Sequence, residues 1–110
     1  MATRGLGRSL FLYPIEEWEK VLVRLERQKA CIDPEQRRSY LQLMEHTADA
    51  TLDAQGRVTV PPHLARHAGI EKEILFVGAG DIIEMWDPET YREYVGGAEK
   101  DFDAWLTKFL

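Results

Sequence analysis

Asp53 and Arg57 are the residues of this chain whose types and spacing best suit recognition chemistry. They lie four positions apart with Gly56 between them, a pattern that predicts a tight turn. An arginine beside such a turn can present its planar guanidinium to a phosphate or to the edge of a guanine base. The alternative is that Arg57 forms an ion pair with Asp53 and only makes the turn rigid. In either case, Asp53 can accept hydrogen bonds from turn amides and Gly56 supplies backbone freedom, so both are expected to brace the turn.

Four other polar residues can extend this recognition surface. Gln55 and Thr59 neighbour Arg57 and can form hydrogen bonds with the backbone or the bases of DNA. Arg4 and Arg8 flank a glycine turn near the start of the chain, where they would enlarge a basic surface. The alternative for each residue is an ordinary solvated position. The candidate DNA-binding set is therefore Arg57, Gln55, Thr59, Arg8 and Arg4.

Other chemistries find less support in the sequence. His63 and His67 share one face of a predicted helix, but no third ligand has a telling spacing, so we expect surface placement and no metal site. Nothing positions Cys31 with His46 as a nucleophile and base, and a lone buried thiol is the better interpretation. Residues 78–80 are too short for a nucleotide-binding loop. The sequence therefore predicts no enzyme, no cofactor and no small-molecule substrate.

The distribution of charge matters more than its total. The chain has 110 residues and a formal net charge of −5, to which residues 1–30 contribute +2, residues 31–70 contribute −1 and residues 71–110 contribute −6. Because local charge steers the approach of DNA, an acidic C-terminal third does not exclude binding at the nearly neutral central segment. The apolar runs are too short to cross a membrane, and no signal-peptide pattern opens the chain. We expect a cytoplasmic protein without membrane contact.

The candidate turn needs a hairpin to hold it. Alternating apolar residues up to Leu52 and from Val58 predict two strands around the turn, and Pro62 begins a short helix that Gly69 ends. Before this hairpin, the pattern predicts a strand at Arg8–Tyr13 and helices at Ile15–Gln28 and Asp33–Glu45. After it, the pattern predicts strands at Glu73–Val77 and Ile82–Trp86 and a helix that begins at Asp87 and is loosened by Gly96. A final helix contains Phe102, Trp105, Leu106 and Phe109.

A partial internal repeat appears at an offset of 73 residues. At this offset Gly5 aligns with Gly78, and aromatic residues align at two positions, Tyr13 with Trp86 and Trp18 with Tyr91. We expect these four aromatic residues to form core and subunit contacts. The copies are unequal, because about 28 residues that would supply a first hairpin are missing. The predicted units are 1–30 (C-terminal part of the first repeat), 31–46 (connector helix) and 47–110 (complete second repeat).

The pattern Leu52-Asp53-x-x-Gly56-Arg57-x-x-x-Pro61, together with Arg4-Gly5-Leu6 and the segment Leu12–Trp18, resembles the MraZ family of the SpoVT-AbrB superfamily. The resemblance implies an α+β fold, a swapped-hairpin β-barrel with amphipathic helices and two unequal repeats. It also implies a sequence-specific DNA-binding transcriptional regulator. Such regulators assemble into rings on short direct repeats of double-stranded DNA near division and cell-wall genes, so we expect a nucleoid-associated homo-oligomer, either a dimer or a ring. On this view Arg57 contacts DNA and Asp53 braces the turn.

The missing first hairpin leaves alternatives open. Two chains can exchange their hairpins, which would make dimerisation obligatory, or the fold stays open with an unpaired strand edge. An antitoxin-like interaction module would use the same hairpin and wrap a partner with the acidic, aromatic tail from Glu99 to Leu110. A truncated relic would join rings of intact subunits. A misplaced start codon, a fragment and a natural short variant all fit the missing segment.

Overall fold

The computed structural model describes residues 1–50, 53–97 and 101–110. None of the described helices is long and apolar enough to cross a membrane. The elements in chain order are β1 Ala2–Arg4, β2 Leu10–Leu12, α1 Ile15–Arg27, α2 Arg37–His46, α3 Pro62–Ala68, β3 Leu75–Ala79, β4 Ile82–Trp86, α4 Pro88–Gly96 and α5 Phe102–Thr107.

The strands form one antiparallel sheet in the order β1-β2-β4-β3. Each end of the chain contributes one hairpin, and the two hairpins join where β2 pairs with β4. Phe11 faces Glu84 in the middle of that pairing. These two residues are separated by 73 positions, the same offset as the sequence repeat. The α+β class expected from the sequence is confirmed.

The core lies where α3 covers the sheet. Leu10 and Met85 are register partners in β2 and β4, and both are completely buried. Leu64 and Ala68, one turn apart on α3, are also completely buried and pack into the same cluster. A helix as short as α3 is not stable alone, so this apolar face is what holds it on the sheet. Gly69 then ends the helix in the left-handed conformation, with φ +68°.

Strand β1 was not predicted, because three residues are too few to show an alternating pattern. Its Ala2 is fully buried and exchanges two backbone hydrogen bonds with Ala48, at 2.8 and 2.9 Å. The segment that leads from α2 towards the Asp53 turn is therefore fixed to the edge of the sheet. The predicted first strand, Arg8–Tyr13, is shorter in the structure because Ser9 still belongs to the preceding turn, where its N–H donates to Leu6.

Two other predicted boundaries were shifted. Strand β3 spans residues 75–79 and not 73–77, because the left-handed residue of the hairpin turn is Gly80, at φ +70°. Helix α2 begins at Arg37, since Asp33 caps a separate turn through its hydrogen bond with the Glu35 amide. The helices α1, α3 and α4 begin and end within a residue or two of the predictions.

The predicted hairpin around Asp53 is described only in part. Leu52 lies outside the described residues, and no strand of the named sheet flanks the turn in the described part of the chain. Ala48, Ala50 and Val60 nevertheless pack against the core. This agrees with the alternating pattern, which places them on one face of the hairpin. The four named strands form an open sheet, and the swapped-hairpin barrel stays a prediction.

Gly5 and Gly78 provide a matched pair for testing the packing. A Cβ at Gly5 would overlap the Ser9 hydroxyl and the Phe11 ring, whereas a Cβ at Gly78 would meet no atom within 4 Å. We expect Gly5→Ala to lower the free energy of unfolding by about 1–3 kcal/mol, the usual cost of overpacking. Gly78→Ala should change it by less than about 1 kcal/mol. Urea unfolding followed by circular dichroism measures both, and equal effects would contradict the described packing.

Candidate nucleic-acid interface

The Asp53 carboxylate organises the turn through three hydrogen bonds. Its Oδ1 accepts from the backbone N–H groups of Gln55 and Arg57, at 2.9 and 2.8 Å. Its Oδ2 accepts from Nε of Arg57 at 2.8 Å. The Asp53 carbonyl accepts from the Gly56 amide at 3.0 Å, and Gly56 has a φ of +79°, which an L side chain rarely adopts. The predicted bracing roles of Asp53 and Gly56 correspond to these contacts.

These hydrogen bonds lower the pKa of the Asp53 carboxyl. The backbone N–H of Arg57 is the largest cause that lowers the pKa of the carboxyl below its ordinary 3.8, and the Gln55 amide and the Arg57 guanidinium add to it. Partial desolvation acts in the opposite direction. Because hydrogen bonds to a carboxylate favour its charged form, the braced turn belongs to the ionised state of Asp53.

Arg57 forms the ion pair that the sequence offered as one of two interpretations, and DNA contact stays a prediction. The ion pair with Asp53 exists, at 2.8 Å, and it engages only Nε. The Arg57 side chain is 73% exposed, and its two terminal nitrogens form no hydrogen bond with any residue in the described part of the chain. A guanidinium held along one edge by a carboxylate is orientated but still offers donors to a second partner.

The neighbouring candidates are also accessible. Gln55 and Thr59 are exposed and lie beside Arg57. Arg8 is exposed in the turn between β1 and β2. The structure thus brings Asp53, Gln55, Gly56 and Arg57 together in one turn, while Arg8 belongs to a different loop.

Arg4 differs from the other candidates because its side chain has a protein partner. It lies in β1, is half-buried, and its Nε donates a hydrogen bond to Nε2 of His67 on α3 at 3.2 Å. The positive charge of Arg8 is close enough to His67 to lower the pKa of its imidazole. Arg4 and Arg8 therefore share one neighbourhood at the end of α3.

The histidines occupy positions that sequence reasoning missed. His46, at the end of α2, lies with its ring centroid 6.0 Å from that of His63 and 6.5 Å from that of His67. The prediction of surface placement for His63 and His67 was wrong, because both are half-buried, as is His46, where α2 and α3 meet β1. No three His, Cys, Asp or Glu side chains within the described ranges have the geometry to hold a metal ion. The four-residue spacing of His63 and His67 indicates that these two rings share a helix face. The sequence does not show that His46 joins them, because that depends on how α2 and α3 pack together.

Cys31 also departs from its prediction. Its thiol is exposed and not buried. It follows the end of α1, where Lys29 has a φ of +52° and turns the chain outwards. Composition could not reveal this, because cysteine is usually a buried residue.

The four repeat-related aromatic residues form two similar pairs. The ring centroids of Tyr13 and Trp18 are 5.4 Å apart, and those of Trp86 and Tyr91 are 5.5 Å apart. Trp18 and Trp86 are 6% and 2% exposed, respectively, so both belong to the interior of a single chain. Each pair fastens the helix after a strand to the end of that strand.

The fold and the turn define a small α+β protein that displays a carboxylate-braced arginine beside an antiparallel sheet. A family model described as "MraZ protein, putative antitoxin-like" matches residues 43–108, which is more than half of the chain and includes the turn. The chain belongs to the MraZ family. The resemblance drawn from the sequence is confirmed.

Relatives named "Transcriptional regulator MraZ" align with most of the chain. The protein from Kineococcus radiotolerans is 36% identical over 101 residues, covering 91% of this chain and 69% of the relative. The Heliobacterium modesticaldum protein is 31% identical over 110 residues, covering 100% and 76%, respectively. The Escherichia coli O9:H4 protein is 36% identical over 95 residues, covering 86% and 60%. The names designate regulators, and the prediction that the chain is not an enzyme agrees with them.

The bracing of the turn can be tested by titrating the Asp53 carboxyl. We expect its pKa to lie below 3.8. The stability that ionised Asp53 contributes is then fully present above pH 3.8 and is lost as the pH falls through the folded pKa. Arg57→Ala should raise the pKa only part of the way, because the residue 57 amide, the largest cause, is retained. Carbon-13 NMR of the carboxyl measures this, and a full return to 3.8 in Arg57→Ala would contradict the dominance of the backbone bond.

Proposed function

We propose that this protein is a sequence-specific DNA-binding transcriptional regulator whose DNA contact is centred on Arg57. The observation that supports this most directly is the exposed guanidinium fixed along one edge by Asp53. Preorganisation reduces the entropy lost when a side chain binds. The name that the relatives carry supports the regulatory role. Double-stranded DNA is the proposed partner.

Gln55 and Thr59 supply the neighbouring polar contacts in this proposal. Both are exposed beside Arg57, at positions from which amide and hydroxyl groups can reach phosphates or base edges. Asp53 does not touch DNA, because its carboxylate would repel phosphate and is already occupied by three donors. Arg8 and Arg4 form a second, separate basic region, in which Arg8 is the accessible member and Arg4 is engaged by His67.

We further propose that the chain consists of two unequal repeats, at 1–30 and 47–110, joined by a connector at 31–46. Residues at the 73-residue offset occupy similar positions in the two halves. Gly7 and Gly80 both have positive φ angles, of +62° and +70°. The pairing of Phe11 with Glu84 and the two matching aromatic pairs also support a pseudo-twofold relation between the halves.

The proposed protein acts as an oligomer of copies of this chain. Helix α5 and the residues that follow it leave three aromatic side chains, Phe102, Trp105 and Phe109, between 51% and 69% exposed. A cleft of about 540 Å³ between α1 and α2 is lined largely by apolar groups, including Leu22 and Tyr40. Exposed aromatic residues of this number usually mark an interface. Exchange of the Asp53 hairpin between copies would complete the swapped-hairpin barrel.

The finer parts of the proposal rest on the resemblance to MraZ regulators. These are action on short direct repeats near division and cell-wall genes, and association with the nucleoid. An oligomer that offers one turn to each repeat would gain affinity from multivalency. The second candidate is an antitoxin-like module, favoured by the exposed aromatic face of α5 and by the description of the matching family.

Fluorescence anisotropy with duplex DNA from upstream of the protein's own gene tests the DNA contact. We expect Arg57→Ala to weaken binding about 5- to 100-fold and to reduce the salt dependence by about one ion, the usual effects of losing one arginine contact. Arg92→Ala is the matched control, because Arg92 is exposed on α4 among acidic residues and should leave affinity unchanged. Equal affinity of Arg57→Ala and the unaltered chain would refute the proposed contact.

Light scattering after size-exclusion chromatography tests the oligomer. We expect the unaltered chain to have a mass above its monomer value of 12.7 kDa. Trp105→Asp should lower that mass, because a carboxylate cannot be buried in an apolar interface without cost. Leu6→Asp, at a residue 71% exposed in the β1–β2 turn, is the control. If the unaltered chain is monomeric, that result would favour the antitoxin-like interaction module, in which α5 binds a different protein.

A further inference from the structure

The histidine cluster, defined as His46, His63 and His67, contains every histidine of the chain. The three rings come from α2 and α3 and lie near β1, with the His63 and His67 centroids 6.0 and 6.5 Å from that of His46. Nδ1 of His46 and Nε2 of His63 are buried and have no hydrogen-bond partner among the described residues. Buried polar atoms without partners are uncommon and require a reason.

The contact between Arg4 and His67 requires one protonation state. Arginine nitrogens only donate hydrogen bonds, so Nε2 of His67 must be the unprotonated ring nitrogen that accepts from Nε of Arg4. A proton on that nitrogen would turn the acceptor into a donor and place two N–H groups against each other. The 3.2 Å contact therefore exists only while His67 is neutral.

The surroundings of His67 also oppose a positive charge. Burial is the largest cause that lowers the pKa of His67, followed by the charges of Arg4, His46 and Arg8, while a hydrogen bond with the Gly7 backbone acts in the opposite direction. The charged groups that face it are Arg4 from β1, Arg8 from the following turn and His46 from α2, with His63 on its own helix. No carboxylate of the described residues contributes to this environment.

We propose that the Arg4–His67 hydrogen bond is a proton-sensitive latch that holds α3 on β1 while His67 is neutral and opens when His67 takes up a proton. Opening replaces an attraction between α3 and β1 with repulsion between an imidazolium and two guanidinium groups. Helix α3 directly follows the Asp53 turn in the chain and supplies Leu64 and Ala68 to the core. Protonation therefore acts on an element that the core needs.

The direction of the effect follows from linkage. The pKa of His67 is lower in the folded chain than its ordinary value of 6.5, so the unfolded chain binds the proton more readily between the two values. The stability contributed by neutral His67 is thus fully present above pH 6.5 and is lost as the pH falls towards the folded pKa. A histidine paired with a carboxylate would show the opposite dependence.

Thermal unfolding of the full chain between pH 7.5 and 5.5, without DNA, tests the latch. We expect the Tm of the unaltered chain to fall on acidification, because the unfolded chain binds the His67 proton more readily. In His67→Gln the amide oxygen can still accept from Arg4 but cannot become charged, so at least half of that fall should disappear. An unchanged fall in His67→Gln would overturn the proposal. Because no DNA is present, this result is independent of the proposed function.

Nitrogen-15 NMR of the imidazole rings provides a second readout that does not depend on the stability of a His67 variant. At pH 7.5 we expect His67 to carry its proton on Nδ1. Arg4→Met should raise the midpoint of the His67 titration, because it removes a neighbouring positive charge. Arg38→Met, at an exposed position on α2, is the charge-matched control and should not move it. Protonation of Nε2 at pH 7.5, or equal shifts in both variants, would refute the latch.

Discussion

The antiparallel pairing of β2 with β4 is the contact on which the rest of the structure depends. It joins residues near the start of the chain to residues more than 70 positions later, and it places fully buried Leu10 beside fully buried Met85. This pair forms the floor on which α3 packs. Pairing at such a separation carries a large loop-closure cost, so apolar burial by α3 and the aromatic pairs must offset it.

The Asp53 turn is organised differently, by hydrogen bonds within five residues. Asp53 holds Gln55 and Arg57 through hydrogen bonds that need no tertiary contact. The sheet contributes the anchorage: Ala48 is paired with Ala2 before the turn, and α3 is buried after it. A locally rigid turn between two anchored segments can hold Arg57 at the surface without being part of the core. Substitutions in the turn can therefore change binding without removing the apolar contacts that stabilise the fold.

Local signals made much of this predictable. Pro62 and Gly69 delimit α3, Asp87 caps α4 by accepting from the Thr90 amide, and the spacing of Asp53 and Arg57 anticipated the braced turn. The failures involve contacts between distant segments. Strand β1 is too short to carry a pattern, and the meeting of His46 with His63 depends on how α2 and α3 approach β1. Exposure of Cys31 likewise follows from the left-handed turn after α1.

In the proposed function, the carboxylate-braced turn carries the DNA contact of this MraZ-family chain. The most direct measurement is a series of proton–nitrogen correlation spectra of the labelled protein during titration with duplex DNA from upstream of its own gene. We expect the largest amide shifts between Asp53 and Arg57, with little change in α4 and α5. Shifts concentrated in α4 and α5, with an unperturbed turn at saturating DNA, would contradict it.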